Sequence, residues 1–181
     1  MKRFIYTFVL SAMMLLPGCT TDTTQPDPID MELENNMFPS WDEASDDGTN
    51  WSSARLAGQA YIVVFSAQWC NDPCYSLFHN YWSWESDLPM MVFSTDNGSD
   101  ISFDDWHASA DAHDDEGDDT RVNLTSYVFL LGDEEAIELG VTGPGTTFFV
   151  NADGEIIWSG KSRHADNEDT FREQWANAQG L

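Results

Sequence analysis

Basic side chains are scarce in this chain. Seven lysines and arginines face 32 aspartates and glutamates, for a formal net charge of −25 at pH 7. A surface of that sign repels phosphate backbones and anionic headgroups, which excludes nucleic acid and electrostatic membrane binding. Solubility is the simplest role for so much negative charge, and attraction of a basic partner is the alternative. Histidine is rare as well: four residues, none of them between Asp114 and Arg163. No internal repeat is present. The apolar run from Phe4 to Leu16 is shorter than the roughly 20 residues that a membrane-spanning helix needs. Cysteine occurs only at positions 19, 70 and 74.

The N-terminus accounts for the first cysteine. "MKRFIYTFVLSAMMLLPGC" has a basic start, a short apolar stretch and small residues before Cys19. "LPGC" resembles a bacterial lipobox, which implies a signal peptide over residues 1–18 and a lipid on Cys19. Thr20 after that cysteine resembles the pattern for outer-membrane sorting, so the expected location is the cell envelope, on the periplasmic face. Lipid rather than charge is then the membrane attachment. Two cysteines, Cys70 and Cys74, are left for a compartment in which disulfides persist. Residues 19–49 are rich in Asp, Glu, Pro and Thr and read as an acidic tether, with Met37, Phe38 and Trp41 available for local docking.

A single domain is expected over residues 50–181. "AYIVVFSA" (60–67) is a continuous apolar, β-branched run that suits a strand buried on both faces. Leu77, Phe78, Tyr81 and Trp82 follow helical spacing. "PMMVFST" is a second buried strand, and "SFDDWHASADAHDD" a helix opened by a Ser cap with acids in its first turn. "TSYVFLLG" is a third strand and "DEEAIELG" a short helix stopped by Gly140. "TTFFVNADGEIIWSG" is a hairpin around Asp153-Gly154, and "NEDTFREQWANAQG" a closing helix. The order predicts an α/β sandwich with parallel and antiparallel strands.

The stretch "VVFSAQWCNDPCYSLF" (63–78) joins a strand to a helix through a cysteine pair with three residues between its members. Together with "SSARLAGQAYIVVFSAQWC" and "GVTGPGTTFFVNADGEI", it resembles the thioredoxin superfamily, especially membrane-tethered thioredoxin-like proteins of the bacterial envelope. The resemblance runs in outline from Trp51 to the C-terminus. It implies a thioredoxin-like fold with a central mixed sheet flanked by helices, and Cys70 and Cys74 as a redox dithiol able to form a disulfide. Trp69, Pro144, Gly145 and Thr146 would shape the groove in which a substrate disulfide lies. Three departures stand out. The spacing is CxxxC, one residue longer than usual, and Gly145 stands at the family's cis-proline position with Pro144 one place early. Val64, six residues before Cys70, replaces the buried acid that in thioredoxin helps deprotonate the second cysteine.

The residues themselves leave three uses for the pair. As a redox dithiol, Cys70 sits at or just before a helix N-terminus, where free N–H groups and the helix dipole favour a thiolate. Asp72 opposes this by about 0.7 kcal/mol at ~6 Å in a water-like medium. Cys74, one turn in, would resolve the mixed disulfide. As a structural staple, so short a loop contributes only about 2 kcal/mol. As a metal clip, two thiolates suit Cu(I). Copper-delivery proteins of the same fold also use a three-residue gap, but their histidine ligand has no counterpart near Gly143. His79, His107 and His113 are expected to be packing or surface residues. The acidic run "HDDEGDDTR" fails the EF-hand pattern, because Gly117 as sixth position places Ala112 first. No metal and no cofactor are expected. The sequence thus points to a monomeric, lipid-anchored thiol–disulfide oxidoreductase acting on protein dithiols and disulfides. The alternative is a binding lipoprotein on the same fold, either a copper carrier or a scaffold with a static disulfide.

Overall fold

The computed structural model describes residues 36–71, 73–96, 101–113 and 122–181. Cys19, the leader, Asp72 and all of the acidic run after His113 lie outside the described residues.

The continuous apolar run becomes β3 (Tyr61–Ser66), in which every residue is buried. A strand covered on both faces belongs at the centre of a sheet. The five-stranded sheet has the order β5-β4-β3-β6-β7. β4 (Met90–Ser94) runs parallel to β3, and β5 (Val128–Leu131) parallel to β4. β6 (Thr146–Val150) and β7 (Ile156–Lys161) form the expected antiparallel hairpin on the other side of β3. The result is the mixed sheet flanked by helices that the resemblance implied.

Each helix begins where the sequence supplies a start. α2 (Phe103–Asp111) is capped by Ser102, whose hydroxyl accepts from the Asp105 N–H, with Asp104 and Asp105 in the first turn. α4 (Glu168–Gln179) is capped by Asn167 and closes at Gly180 in the left-handed conformation. α1 (Cys74–Trp84) and α3 (Asp133–Glu138) carry no side-chain cap. One face of the sheet packs Ile62, Val64, Met90, Val92, Phe129 and Phe149 against α1, α2 and α4. The opposite face packs Tyr61, Val63, Phe65, Phe93, Phe148 and Val150 against α3 and the N-terminal segment.

That N-terminal segment is more ordered than an acidic tether predicts. Asn36 and Phe38 hydrogen-bond to Ile156 and Gly154 beside the β6–β7 turn, whereas Ser45 bridges Leu130 on the far edge strand. Between these anchors the chain straps across the sheet, with Phe38 edge-on to Tyr61, Phe93 and Phe148, and Trp41 edge-on to Phe93. β1 (Asp42–Ala44) and β2 (Asn50–Ser52) pair as a small hairpin at its end. Phe38 and Trp41 dock as the sequence allowed, while Met37 stays partly exposed.

One ion pair fastens the strap to the helical layer. His107 of α2 hydrogen-bonds through Nδ1 to the Asp46 carboxylate and through Nε2 to the Leu124 carbonyl, and its ring stacks on Phe129 at 4.5 Å. Both ring nitrogens face acceptors, so both donate and the ring is an imidazolium. Burial pulls its pKa down, but the Asp46 hydrogen bond and charge, with the Leu124 carbonyl and the Asp111 charge, raise it above the usual 6.5. A raised histidine pKa stabilises the fold fully below the unfolded value, and that contribution is lost as pH rises through the folded value. The stability gap between the native chain and His107→Leu should therefore be largest near about pH 6. It should narrow by about 1–2 kcal/mol by about pH 9 in denaturant unfolding, and a gap independent of pH would refute the pairing.

Candidate functional site

The chain leaves the sheet at Ser66 and turns through 67–71 into α1. Two bonds hold this turn: the Cys70 N–H donates to the Ala67 carbonyl at 2.9 Å, and the Tyr75 hydroxyl donates to the Gln68 carbonyl at 3.0 Å. Tyr75, the second residue of α1, is buried, and its phenol pKa is raised by desolvation, so it stays a neutral donor. Its role was not legible from spacing, because a tyrosine beside a cysteine reads only as helix core.

Cys70 and Cys74 form a disulfide, with their Cα atoms 5.6 Å apart. The extra residue between them is therefore compatible with a bridge. The pair is asymmetric: Cys70 is 7% exposed and Cys74 is 1% exposed. Cys74 opens α1, with Pro73 preceding it, no capping side chain and no acid in the first turn. That leaves the positive end of the helix facing the bridge. Val64 packs in the same apolar cluster as both cysteines, so no carboxylate replaces thioredoxin's acid at that position.

Trp69 is 67% exposed, the only large aromatic so open among the described residues. Its indole N–H donates to Asp96 Oδ1 at 3.3 Å, and Asp96 is in turn held through its backbone by the Ser94 hydroxyl. The bond orients an aromatic surface beside the disulfide. Asp96 was missed by the sequence reading, since an acid just after a strand reads as a turn residue.

β6 is antiparallel to β3, which brings the turn before it to the same end of the sheet as Cys70. Gly145 adopts φ +88°, and its N–H and C=O are both engaged, with the Phe65 carbonyl and the Ser162 N–H at 2.8 Å each. Pro144 has no N–H, so the pair presents the proline ring rather than a row of donors. Thr146 differs from expectation. It is a sheet residue paired with Phe65, and alternation puts its buried side chain on the face of Phe148 and Val150, away from the cysteines. The structure therefore gathers Trp69, Cys70, Cys74, Pro144 and Gly145 at one end of the sheet, but not the Thr146 side chain.

Two further histidines, His79 and His113, belong to the α1–α2 contact. His79 is buried with Nε2 2.7 Å from the Ala110 carbonyl, and His113 lies 3.5 Å from the Ser76 hydroxyl and edge-on to Tyr75. Among the described residues, no group of three or more His, Cys, Asp or Glu side chains is placed to hold a metal ion.

No family model and no curated protein sequence matches the chain. Solved structures do. BsSco, a member of the Sco family of cytochrome c oxidase assembly proteins in which a disulfide switch was identified, is 18% identical. The match covers 84% of this chain and 95% of that one at a TM-score of 0.58. A thio-disulfide isomerase from Thermus thermophilus is 16% identical over 78% of this chain and 94% of its own, with a TM-score of 0.60. A SCO1/SenC family lipoprotein from Bacillus anthracis is 13% identical over 85% and 99%, with a TM-score of 0.59. These likenesses are of fold: the chain has the thioredoxin-like architecture.

The positive φ at Gly145 yields a test of this turn's backbone. An added Cβ would meet Ser162 Oγ at 3.4 Å, which is tolerable, so the cost of Gly145→Ala is conformational. Thermal or denaturant unfolding should show a loss of about 1–2 kcal/mol. An unchanged stability would mean the turn is not held in this conformation.

Proposed function

We propose that the protein is a lipid-anchored thiol–disulfide oxidoreductase of the cell envelope. The observation that carries this reading is the Cys70–Cys74 disulfide at a strand-to-helix junction, with its less deeply buried cysteine next to an oriented, solvent-facing Trp69. A purely structural staple needs neither the asymmetry nor the exposed indole.

The chemistry is attack of a thiolate on a disulfide sulfur. A substrate thiolate bonds to Cys70 Sγ, the Cys70–Cys74 bond breaks, and Cys74 leaves with the electron pair and takes up a proton. A second substrate thiolate then attacks the substrate sulfur of the mixed disulfide, forming the substrate's disulfide and releasing Cys70 as a thiolate. Run in reverse, the Cys70 thiolate attacks a substrate disulfide and Cys74 resolves it. The uncapped α1 terminus favours the anion at Cys70 in either direction. Trp69, Pro144 and Gly145 form the docking surface, with Thr146 fixing its backbone through the β3 ladder. The substrates are protein dithiols or disulfides, met by a monomer held to the membrane, on the periplasmic face of the outer membrane, by lipid on Cys19. Copper carriage is the second reading, supported by the three-residue gap and the fold shared with Sco structures.

Cysteine variants test the reaction. Cys74→Ser should accumulate mixed disulfides through Cys70, and Cys70→Ser should abolish rapid alkylation of the reduced domain near neutral pH. A faster-reacting Cys74, or a disulfide that resists thiol reductants until the domain unfolds, would make the bridge a staple. The anchor is tested separately. Cys19→Ser should move the protein out of the membrane fraction, and retention there at native abundance and processing would remove the lipid from the reading.

A further inference from the structure

Ser66 ends β3, the strand that delivers the chain to the disulfide. Strand residues alternate between faces, and Ile62 and Val64 point into the layer that holds Cys70 and Cys74, while Phe65 points into the other. Ser66 therefore points into the cysteine layer, two residues nearer the active end than Val64. α1 connects β3 to the parallel strand β4, so it runs back along the sheet and its first turn, with Cys74, covers the end of β3.

Ser66 is 0% exposed, and its hydroxyl oxygen has no hydrogen-bond partner among the described residues. The strand's other demands are met: the Ser66 carbonyl accepts from the Thr95 N–H at 2.8 Å and from the Thr95 hydroxyl at 3.2 Å. Its neighbour across the ladder, Ser94, donates to the Asp96 carbonyl. A buried hydroxyl left without a partner is costly, and the cost selects against it unless another state of the protein supplies one. The disulfide offers only weak acceptor sulfurs. Opening the bridge creates a strong one, because Cys74 Sγ departs with the electron pair.

We propose that the Ser66 hydroxyl is the hydrogen-bond donor that receives the Cys74 sulfur when the disulfide opens, and that it takes over, by donating rather than by accepting a proton, the task of the acid missing at Val64. This rests on the oxidoreductase reading. The bond exists only in the reduced protein, so it favours the dithiol and makes Cys74 a better leaving group from the bridge. Ser66 acts on the reaction through Cys74 and is a positioning residue.

The equilibrium with glutathione measures the effect: protein disulfide plus two glutathione thiols gives protein dithiol plus glutathione disulfide. In the full chain, Ser66→Ala should shift this equilibrium about tenfold toward the protein disulfide, a potential lower by about 30 mV. Ser66→Thr, which keeps a hydroxyl, should stay within about twofold of native. Ser45→Ala, which removes a buried and already bonded hydroxyl in the strap, away from the site, should leave the potential unchanged. A native potential in Ser66→Ala, or an equal shift in Ser45→Ala, overturns the assignment while leaving the oxidoreductase intact. A native disulfide that does not exchange with glutathione in the folded state instead sinks the oxidoreductase reading itself. Independently of any variant, the Ser66 hydroxyl proton should give a slowly exchanging NMR resonance in the reduced native protein. Equal protection in the oxidised and reduced states would overturn the proposal.

Discussion

Burial of β3 on both faces is the constraint from which the rest of the structure follows. Six consecutive residues, Tyr61–Ser66, are out of water, so their backbone groups need strand partners on both sides and their side chains need cover above and below. β4 and β6 meet the first demand. The helical layer and the N-terminal strap meet the second. The disulfide lies where this strand must stop: a chain leaving the centre of a sheet between two neighbours can return only as a crossover helix, and that helix begins at Cys74.

The strap resolves a tension between composition and packing. The chain carries far more acid than base, which disfavours compactness by self-repulsion. Phe38 and Trp41 offset this by covering an otherwise open apolar face with edge-on aromatic contacts, each worth about 0.5–1.5 kcal/mol beyond its area. His107 places one of the rare positive charges where it faces Asp46 in a half-buried site, and there it matters more than a surface pair would.

At the site, three devices act on two sulfurs. The uncapped helix terminus favours negative charge near Cys70. The Tyr75–Gln68 bond keeps the preceding turn closed, and the Trp69–Asp96 bond presents an apolar surface next to the disulfide. Thioredoxin's acid position is filled by Val64, so in the proposed reaction any proton traffic at Cys74 falls to neutral groups or to solvent. This makes the buried hydroxyl of Ser66 consequential, because it is a polar atom on the cysteine face with no partner among the described residues in the oxidised state.

The sequence by itself determined the order of strands and helices from residue 60 onward, the central strand, the Ser102 cap, the Asp153-Gly154 turn and the cysteine pair. These depend on neighbours a few positions apart: an apolar run, a periodicity, a cap three residues from its N–H. Tertiary structure alone decided the partners. His107 and Asp46 are 61 positions apart and Trp69 and Asp96 are 27 apart, and no local pattern encodes either pair. Nor could composition reveal that the end of an acidic segment straps the sheet, since that depends on which apolar face the folded layers leave uncovered. The facing of Thr146 away from the cysteines, and of Ser66 toward them, followed from register. A shift of one residue along the ladder would have exchanged their faces.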